Sequence, residues 1–406
     1  MASATSTRSF RSLRTRDFTE SVIREMTRLS IQHGAVNLSQ GFPDFPAPVD
    51  LKQAAIDAIL ADHNQYSITW GVKPFRQAIA DKYKRTYNLD FDPEREITVS
   101  CGATEGLISS LLSVTDPGDE IIVFEPFYES YHPDTLLCGA TRKLVRLHPP
   151  AAPGEPWRLD PDALRAAFSP RTKAIILNSP HNPTGKVFSL DELTLISQLC
   201  QEFDALAVTD EIYEHITFDG HRHIPIISLP GMRHRTILVN SMSKTFSATG
   251  WRVGWIIASA SLTDGVRKVH DFLTVCAATP LQYAGMAMLN GSGNYYDSLS
   301  EHYDGRRRAA ISMLEAAGFR CFNPAGAYYV MTDISALLGN GQNGGATSDV
   351  ELARYLVEHI GVAAVPGSSF YFDRLHGSAQ LRFCFCKKYE TLSAAGDKLR
   401  GLSRLS

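Results

Sequence analysis

Long apolar runs are missing from this 406-residue chain. None approaches the ~20 residues that a membrane-spanning helix needs. A basic excess is missing too: 40 Lys and Arg stand against 43 Asp and Glu, a formal net charge of −3. General affinity for nucleic acid or an anionic membrane surface requires the opposite balance. Cysteine is sparse and unpatterned. The seven cysteines are odd in number and form no CxxC pair. That argues against a disulfide framework and for a reducing compartment, the cytoplasm. Cys384 and Cys386, two apart in "LRFCFCKK", would share one face of a strand, and buried structural thiols are expected rather than a redox or metal role.

Other signals lack their context. "HRH" at 221–223 comes with no HExxH or other ligand spacing, so no metal is expected and the segment reads as a solvated loop. "GNGQNG" (339–344) fits GxGxxG without the strand–turn–helix setting of a dinucleotide site, and reads as a flexible loop. "TGKV" lacks the upstream glycine of a phosphate-binding loop. The first sixteen residues, "MASATSTRSFRSLRTR", are rich in Ser and Arg and have no acid. That composition resembles a transit peptide but has no apolar core for secretion; a frayed basic tail is the expectation.

What is present is a series of strand signals: "EITVSC", "DEIIVFEP", "TRKLVRL", "KAIILNSP", "LAVTDEIY", "TILVNSMS" and "RVGWIIAS". Several are near-continuous apolar runs, as strands covered on both faces require. Helical patterns lie between many of them, among them "SLDELTLISQLCQEFDA", opened by a serine. The alternation predicts an α/β domain with a mostly parallel sheet. After "GSGNYY" the pattern changes to a long charged helix, "DSLSEHYDGRRRAAISMLEAAG", and then to the mixed elements of a smaller α+β domain.

In an open α/β sheet, ligands sit outside the carboxyl ends of the strands. "CGATEGLISSLL" follows one strand with a glycine turn and a helix start, where unpaired N–H groups favour a phosphate; taken alone, Gly102 to Thr104 reads as an ordinary turn. Tyr128, in "VFEPFYESYHP", offers a flat ring, although aromatics there commonly serve the core. Asn178 and Asn182 fall in the Pro/Gly-locked turn "NSPHNPTG", which turn chemistry alone also explains. Asp210 and Glu211 end an apolar strand; if buried they need partners, if exposed they do not. The last segment is "NSMSKTFSATGWRVGW", too polar for a core strand and too glycine-punctuated for an ordinary surface helix. It presents Ser241, Ser243, Lys244 and Arg252. Together these residues suit one ligand, pyridoxal 5′-phosphate: an anion, a flat ring, a ring cation and an aldehyde for an amine.

Here the chain resembles a class I aminotransferase of fold type I, over nearly its whole length. The carrying motif is Ser-x-Ser-Lys-x-Phe-(x)3-Gly-x-Arg-x-Gly, intact from Ser241 to Gly254, supported by "NSPHNPTG" and "TDEIYEHI". "QGFPDFPAP" and "EPFYESYHP" are most similar to the kynurenine, glutamine and methionine aminotransferase branch. The resemblance implies a large domain over 50–292 with a mostly parallel seven-stranded sheet. It also implies a smaller domain from 1–49 and 293–406. Lys244 would condense with the cofactor and then shuttle the proton. Asp210 would pair with the pyridine nitrogen, Asn182 and Tyr213 with the ring hydroxylate, and Tyr128 would stack on the ring. Ala103, Thr104, Ser241, Ser243 and Arg252 would hold the phosphate. Tyr66 would reach the phosphate of a neighbouring subunit, implying a homodimer with shared sites. Arg382 would clamp the substrate α-carboxylate, and Gly41 would line that pocket.

The expected reaction is ping-pong transamination between a neutral or aromatic L-amino acid and a 2-oxo acid. Neither Thr104 nor "DFLTVCAATP" supplies the second cation that dicarboxylate-selective relatives carry. The alternative is a β-eliminating lyase or another Cα-carbanion enzyme on the same cofactor contacts. A cofactor-sensing regulator would need an N-terminal DNA-binding domain, and fewer than forty residues precede "NLSQGFPDF".

Overall fold

The computed structural model describes residues 10, 12–15, 18, 20–152, 154–291, 294–339 and 343–403. Most of the Ser/Arg-rich start and the centre of "GNGQNG" therefore lie outside the described residues.

The main sheet contains, in chain order, β1 (Ile97–Ser100), β2 (Glu120–Glu125), β3 (Thr141–His148), β4 (Arg158–Leu159), β5 (Thr172–Asn178), β6 (Leu206–Asp210), β7 (Thr236–Ser241) and β8 (Gly254–Ala258). Across the sheet the order is β1-β8-β7-β6-β5-β2-β3-β4. The pairs β7–β6, β6–β5, β5–β2 and β2–β3 are parallel, while β8 runs against both β1 and β7, and β4 against β3. All seven expected strands form. The eighth, β4, is two residues long and too short to carry a period in sequence.

The apolar runs exist because both faces are covered. In β2, Ile122 and Phe124 join one core cluster and Ile121 and Val123 the other. In β5, Ile175 and Leu177 divide from Ala174 and Ile176 in the same way. Successive side chains of a strand point to opposite faces, so a strand sandwiched between helices must be apolar at every position. The covering helix Leu190–Glu202 starts where its serine predicts. Ser189 and Glu192 form a reciprocal capping box, satisfying two N–H groups that the first turn would leave unpaired.

The C-terminal part follows the long helix Tyr295–Ala316. It holds an antiparallel four-stranded sheet in the order Arg320–Phe322, Tyr329–Asp333, Gln380–Cys384, Val365–Pro366. Near the N-terminus, Val36–Asn37 pairs in parallel with Val362–Ala363, and the helix Val22–Gln32 buries Met26 in the same apolar cluster as Val362 and Phe383.

Two expectations are corrected. "HRH" is not wholly solvated: His223 is buried and its Nε2 lies 2.8 Å from Glu211 Oε2. A buried carboxylate at the end of β6 needed a partner, and this loop supplies it. All seven cysteines are free thiols, but only Cys138, Cys200, Cys384 and Cys386 are buried; Cys101, Cys276 and Cys321 are half-buried. Among the described residues no helix is long and apolar enough to cross a membrane.

Candidate active site

The carboxyl ends of β1, β2, β5, β6 and β7 point to one edge of the sheet. A cavity of about 440 Å³ opens there. Its lining includes Gly41, Ala103, Thr104, Tyr128, Asn182, Asp210, Tyr213, Ser241, Ser243, Lys244, Arg252 and Arg382. Twelve of the thirteen sequence-predicted residues thus meet in one place. Tyr66 does not: it is 82% exposed and outside this cavity.

One end of the cavity is built from chain turns. The helix Gly102–Val114 begins directly after β1, aiming its unpaired N–H groups at the opening. Gly102 has φ +80°, and a Cβ there would strike the Arg252 guanidinium. A Cβ on Gly254 would meet Asn240 O at 2.7 Å and Ala103 N at 3.0 Å. Only glycine lets these backbones converge. Ser241 caps the short turn Met242–Thr245 by accepting from Ser243 N at 3.3 Å. The Ser243 hydroxyl is buried and, among the described residues, has no hydrogen-bond partner. A buried, unpaired hydroxyl costs about 1–3 kcal/mol, which an anion accepting its proton would relieve. Arg252, held by Thr249 O at 3.0 Å, adds a cation at the same end. The donor set fits a phosphate.

The middle of the cavity is acidic and aromatic. Asp210 ends β6 fully buried, with the Tyr131 hydroxyl donating to Oδ2 at 2.8 Å and the Ile212 amide to Oδ1 at 3.5 Å. Burial pushes its carboxyl up to about 6; the Tyr131 and Ile212 hydrogen bonds and the Lys244 charge only partly offset this. A lone carboxylate in such a place calls for a cation. Asn178 Nδ2 donates to the Asp210 carbonyl at 2.8 Å, and Asn178 Oδ1 accepts from Asn182 N at 2.7 Å. The turn after β5 is thereby locked to β6. Tyr213 is buried with its hydroxyl 3.0 Å from that of Tyr329, and Tyr128 lies half-buried on the wall. A flat ring with a basic nitrogen fits between these groups.

Lys244 Nζ donates to Gly41 O at 3.0 Å, and Tyr328 Oη donates to the same carbonyl at 2.8 Å. Burial lowers its ammonium from the ordinary lysine value to about 8, despite the opposing pull of Asp210. A Cβ on Gly41 would collide with the Tyr329 hydroxyl, so the segment "QGF" passes the site only as glycine.

Arg382, from the strand Gln380–Cys384, is fully buried. It donates to Asn182 Oδ1 at 2.9 Å and to Ser39 O at 2.8 Å and lies over the Tyr329 and Phe370 rings. Among the described residues its Nε has no partner and every acceptor it meets is neutral. A buried guanidinium without a carboxylate is suited to a visiting one.

The profile of class I and II aminotransferases matches residues 33–399. The chain belongs to that family. This aminotransferase is 39% identical to a probable N-succinyldiaminopimelate aminotransferase of Mycobacterium tuberculosis, over 96% of this chain and 98% of the relative. It is 36% identical to human kynurenine–oxoglutarate transaminase 1, over 93% and 94%. Against the methionine aminotransferase of Escherichia coli the identity is 36%, over 94% and 95%. Among solved structures, the M. tuberculosis N-succinyldiaminopimelate aminotransferase superposes with a TM-score of 0.92 at 38% identity, covering 97% of this chain and 100% of that one. The family is pyridoxal-phosphate dependent, and the cavity's donor set agrees with that cofactor.

Sequence reasoning missed several residues that line the cavity or bond to its lining. Tyr131 stands three places after Tyr128 in the same quoted segment, and only its bond to Asp210 reveals its place. Tyr328 and Tyr329 lie in "GAYYVM", a plain apolar stretch by pattern. Arg24 and Glu129 also line the cavity, and neither carries a local motif. Among the described residues no group of three or more His, Cys, Asp or Glu is placed to hold a metal.

Proposed function

We propose that Lys244 is the residue that carries the reaction, and that the chain transaminates between a neutral or aromatic L-amino acid and a 2-oxo acid in a ping-pong cycle. The observation that carries this reading is one half-buried amine, lowered to about 8, in one cavity with the buried Asp210 and the anion-seeking Arg382. When bound, pyridoxal phosphate supplies a carbonyl that accepts the amino group and a cationic ring that draws electron density from the substrate Cα.

The protein's own part follows from the geometry. With a value near 8, about a tenth of the Lys244 amines are neutral at pH 7, against well under a thousandth for an ordinary lysine. Lys244 is therefore both nucleophile and base, and it moves the proton at the substrate Cα. The Gly41 carbonyl holds the amine in place. Asp210 keeps a cationic nitrogen protonated, since a positive partner restores the carboxylate that burial disfavours. Tyr213, Asn182 and Tyr128 would hold the ring of the cofactor, and Ala103, Thr104, Ser241, Ser243 and Arg252 would hold its phosphate. Arg382 orients the substrate through its α-carboxylate, with the Gly41 segment lining the same pocket.

We assign the small domain to 1–49 with 293–406, supported by the pairing of Val36–Asn37 with Val362–Ala363, and the large one to 50–292. A homodimer is supported by the surface around Tyr66. Val49, Leu60, Tyr66 and Phe272 are 72%, 77%, 82% and 92% exposed. Hydrogen bonds from Thr69 to Asp271 and from Thr279 to Gln65 O bring their segments together. A second copy would cover this apolar face and deliver Tyr66 to its neighbour's site. The seven free thiols support a cytoplasmic location.

The test is an amino-donor screen with 2-oxoglutarate, pyruvate and glyoxylate as acceptors. Stoichiometric conversion of donor to 2-oxo acid, regenerated by the acceptor, is the expected result. Continuous release of pyruvate and ammonia without any acceptor would replace transamination by β-elimination.

A further inference from the structure

Strand β6 ends on Asp210, and two more acids follow closely in the chain, Glu211 and Glu214. All three are buried, and the roles proposed above use only Asp210. Glu211 accepts from Thr209 Oγ1 at 2.8 Å and lies 2.8 Å from His223 Nε2. Glu214 stands outside the cavity lining. Its Oε1 pairs with the buried ammonium of Lys82, from the helix Lys73–Tyr87, and its Oε2 accepts from the Tyr87 hydroxyl at 2.7 Å. Burial alone would push this carboxyl up, but the Lys82 charge outweighs it and holds the group below its usual range. A buried ion pair is often no more stabilising than apolar side chains of equal volume. This one holds something else.

Asn240 Nδ2 donates to Glu214 Oε1 at 2.5 Å and to the Tyr83 hydroxyl oxygen at 3.2 Å. Trp255 Nε1 donates to the same Tyr83 oxygen at 3.3 Å. An ionised carboxylate only accepts, so it admits the nitrogen end of the Asn240 amide and refuses the oxygen end. Asn240 Oδ1 is thereby turned toward the chain, where it accepts from Ser241 N at 2.7 Å. Ser241 closes β7 and caps the turn Met242–Thr245, which carries Ser243 and Lys244. A relay of Lys82, Glu214, Asn240 and Ser241 thus runs from the ion pair to the phosphate end of the cavity.

We propose that Glu214 is a positioning residue for the phosphate end: through the one amide orientation it permits at Asn240, it fixes Ser241 and the turn that carries Lys244. This deepens the aminotransferase reading and rests on it for the nature of the cofactor. A glutamine at 214 presents either an amide oxygen or an amide nitrogen to Asn240, so Asn240 loses its single setting and Ser241 N its constant acceptor. The Ser241 cap on Ser243 N, at 3.3 Å, is then free to drift. Arg382 belongs to a different strand, Gln380–Cys384, and its partners Asn182 and Ser39 take no part in the relay. The substrate's carboxylate site therefore stays in place when the phosphate end loosens.

The experiment measures calorimetric binding of inorganic phosphate to the full chain freed of cofactor, in wild type, Glu214→Gln, Asn240→Ala and the double variant. Each single change should weaken phosphate about tenfold, and the double variant should match Asn240→Ala within twofold. In the holoenzymes, Glu214→Gln should release pyridoxal phosphate faster by a similar factor, while KM for the amino donor stays within twofold. Where Glu214→Gln alone does not fold, Lys82→Met combined with it leaves no unpaired buried ammonium and should show the same loss. Three results overturn the proposal and leave Glu214 as a brace for Lys82. They are a phosphate affinity within twofold of wild type, an equal loss from Glu214→Gln with and without Asn240, and a donor KM raised in step with the phosphate loss. A wild type that binds no phosphate overturns it as well. A wild type that binds phosphate but transaminates no donor with any acceptor overturns the aminotransferase reading instead, and the phosphate cycle then still decides the relay.

Discussion

Replacing Arg382 by alanine should abolish recognition of the substrate's α-carboxylate with limited damage elsewhere. The side chain is fully buried, and its two hydrogen bonds end on neutral oxygens, Asn182 Oδ1 and Ser39 O. Hydrogen bonds to a charged group contribute about 1.5–3 kcal/mol each. A two-point contact with carboxylate is thus about 3–6 kcal/mol, or roughly 10²- to 10⁴-fold in kcat/KM. Alanine also strands the two acceptors at about 1–3 kcal/mol apiece, so the melting temperature should drop measurably while the fold persists. Arg382→Lys keeps the charge but loses the planar fork, and should fall between wild type and alanine. The assay is the single-turnover half-reaction with a good amino donor, set beside a primary amine of the same side chain without the carboxylate. The amine should be poor with wild type and not selectively poorer with the variant. A folded Arg382→Ala that loses less than tenfold with the amino acid, or loses equally with both, would show that the residue is only an internal brace.

Three further outcomes follow from the same geometry. In cofactor-stripped protein, the rate at which Lys244 reacts with an amine-directed acylating reagent should rise with pH to a half-point near 8, since burial disfavours the ammonium and releases its proton early; a half-point near that of an ordinary lysine would remove the argument for a neutral amine. Asp210→Asn should lower kcat about a thousandfold, because an opposite charge held beside a ring cation is about 4 kcal/mol in a screened site, while absorbance after gel filtration shows cofactor retained. Phe272→Asp, at a side chain 92% exposed in one copy, should shift sedimentation toward monomer and weaken cofactor retention; an unchanged dimer would place the interface elsewhere.

Sequence pattern reached the sheet and the cavity by different routes. Strands covered on both faces announce themselves as unbroken apolar runs, so β2, β5, β6 and β7 were legible, whereas the two residues of β4 carry no period. The residues after those strands were legible as a set because each ends an element whose direction is already known. Asp210 is the clearest case. Its strand made burial plausible, and only the structure shows that Tyr131 and Ile212 answer it. His223 was misread because a polar tripeptide in a loop looks solvated until Glu211 is seen beneath it. Arg24 and Tyr329 reach the cavity by tertiary folding of the N-terminal helix and the small domain, and no local spacing encodes that. Tyr66 has the opposite character: it carries a family resemblance but stands outside its own chain's cavity.

The most direct test is to supply the purified protein with pyridoxal phosphate, reduce it with borohydride, digest it and locate the label by mass. The account predicts a yellow protein with one pyridoxyl adduct on Lys244, and Lys244→Ala with no adduct and no turnover. A colourless protein, a label on another lysine, or transamination retained by Lys244→Ala would contradict it.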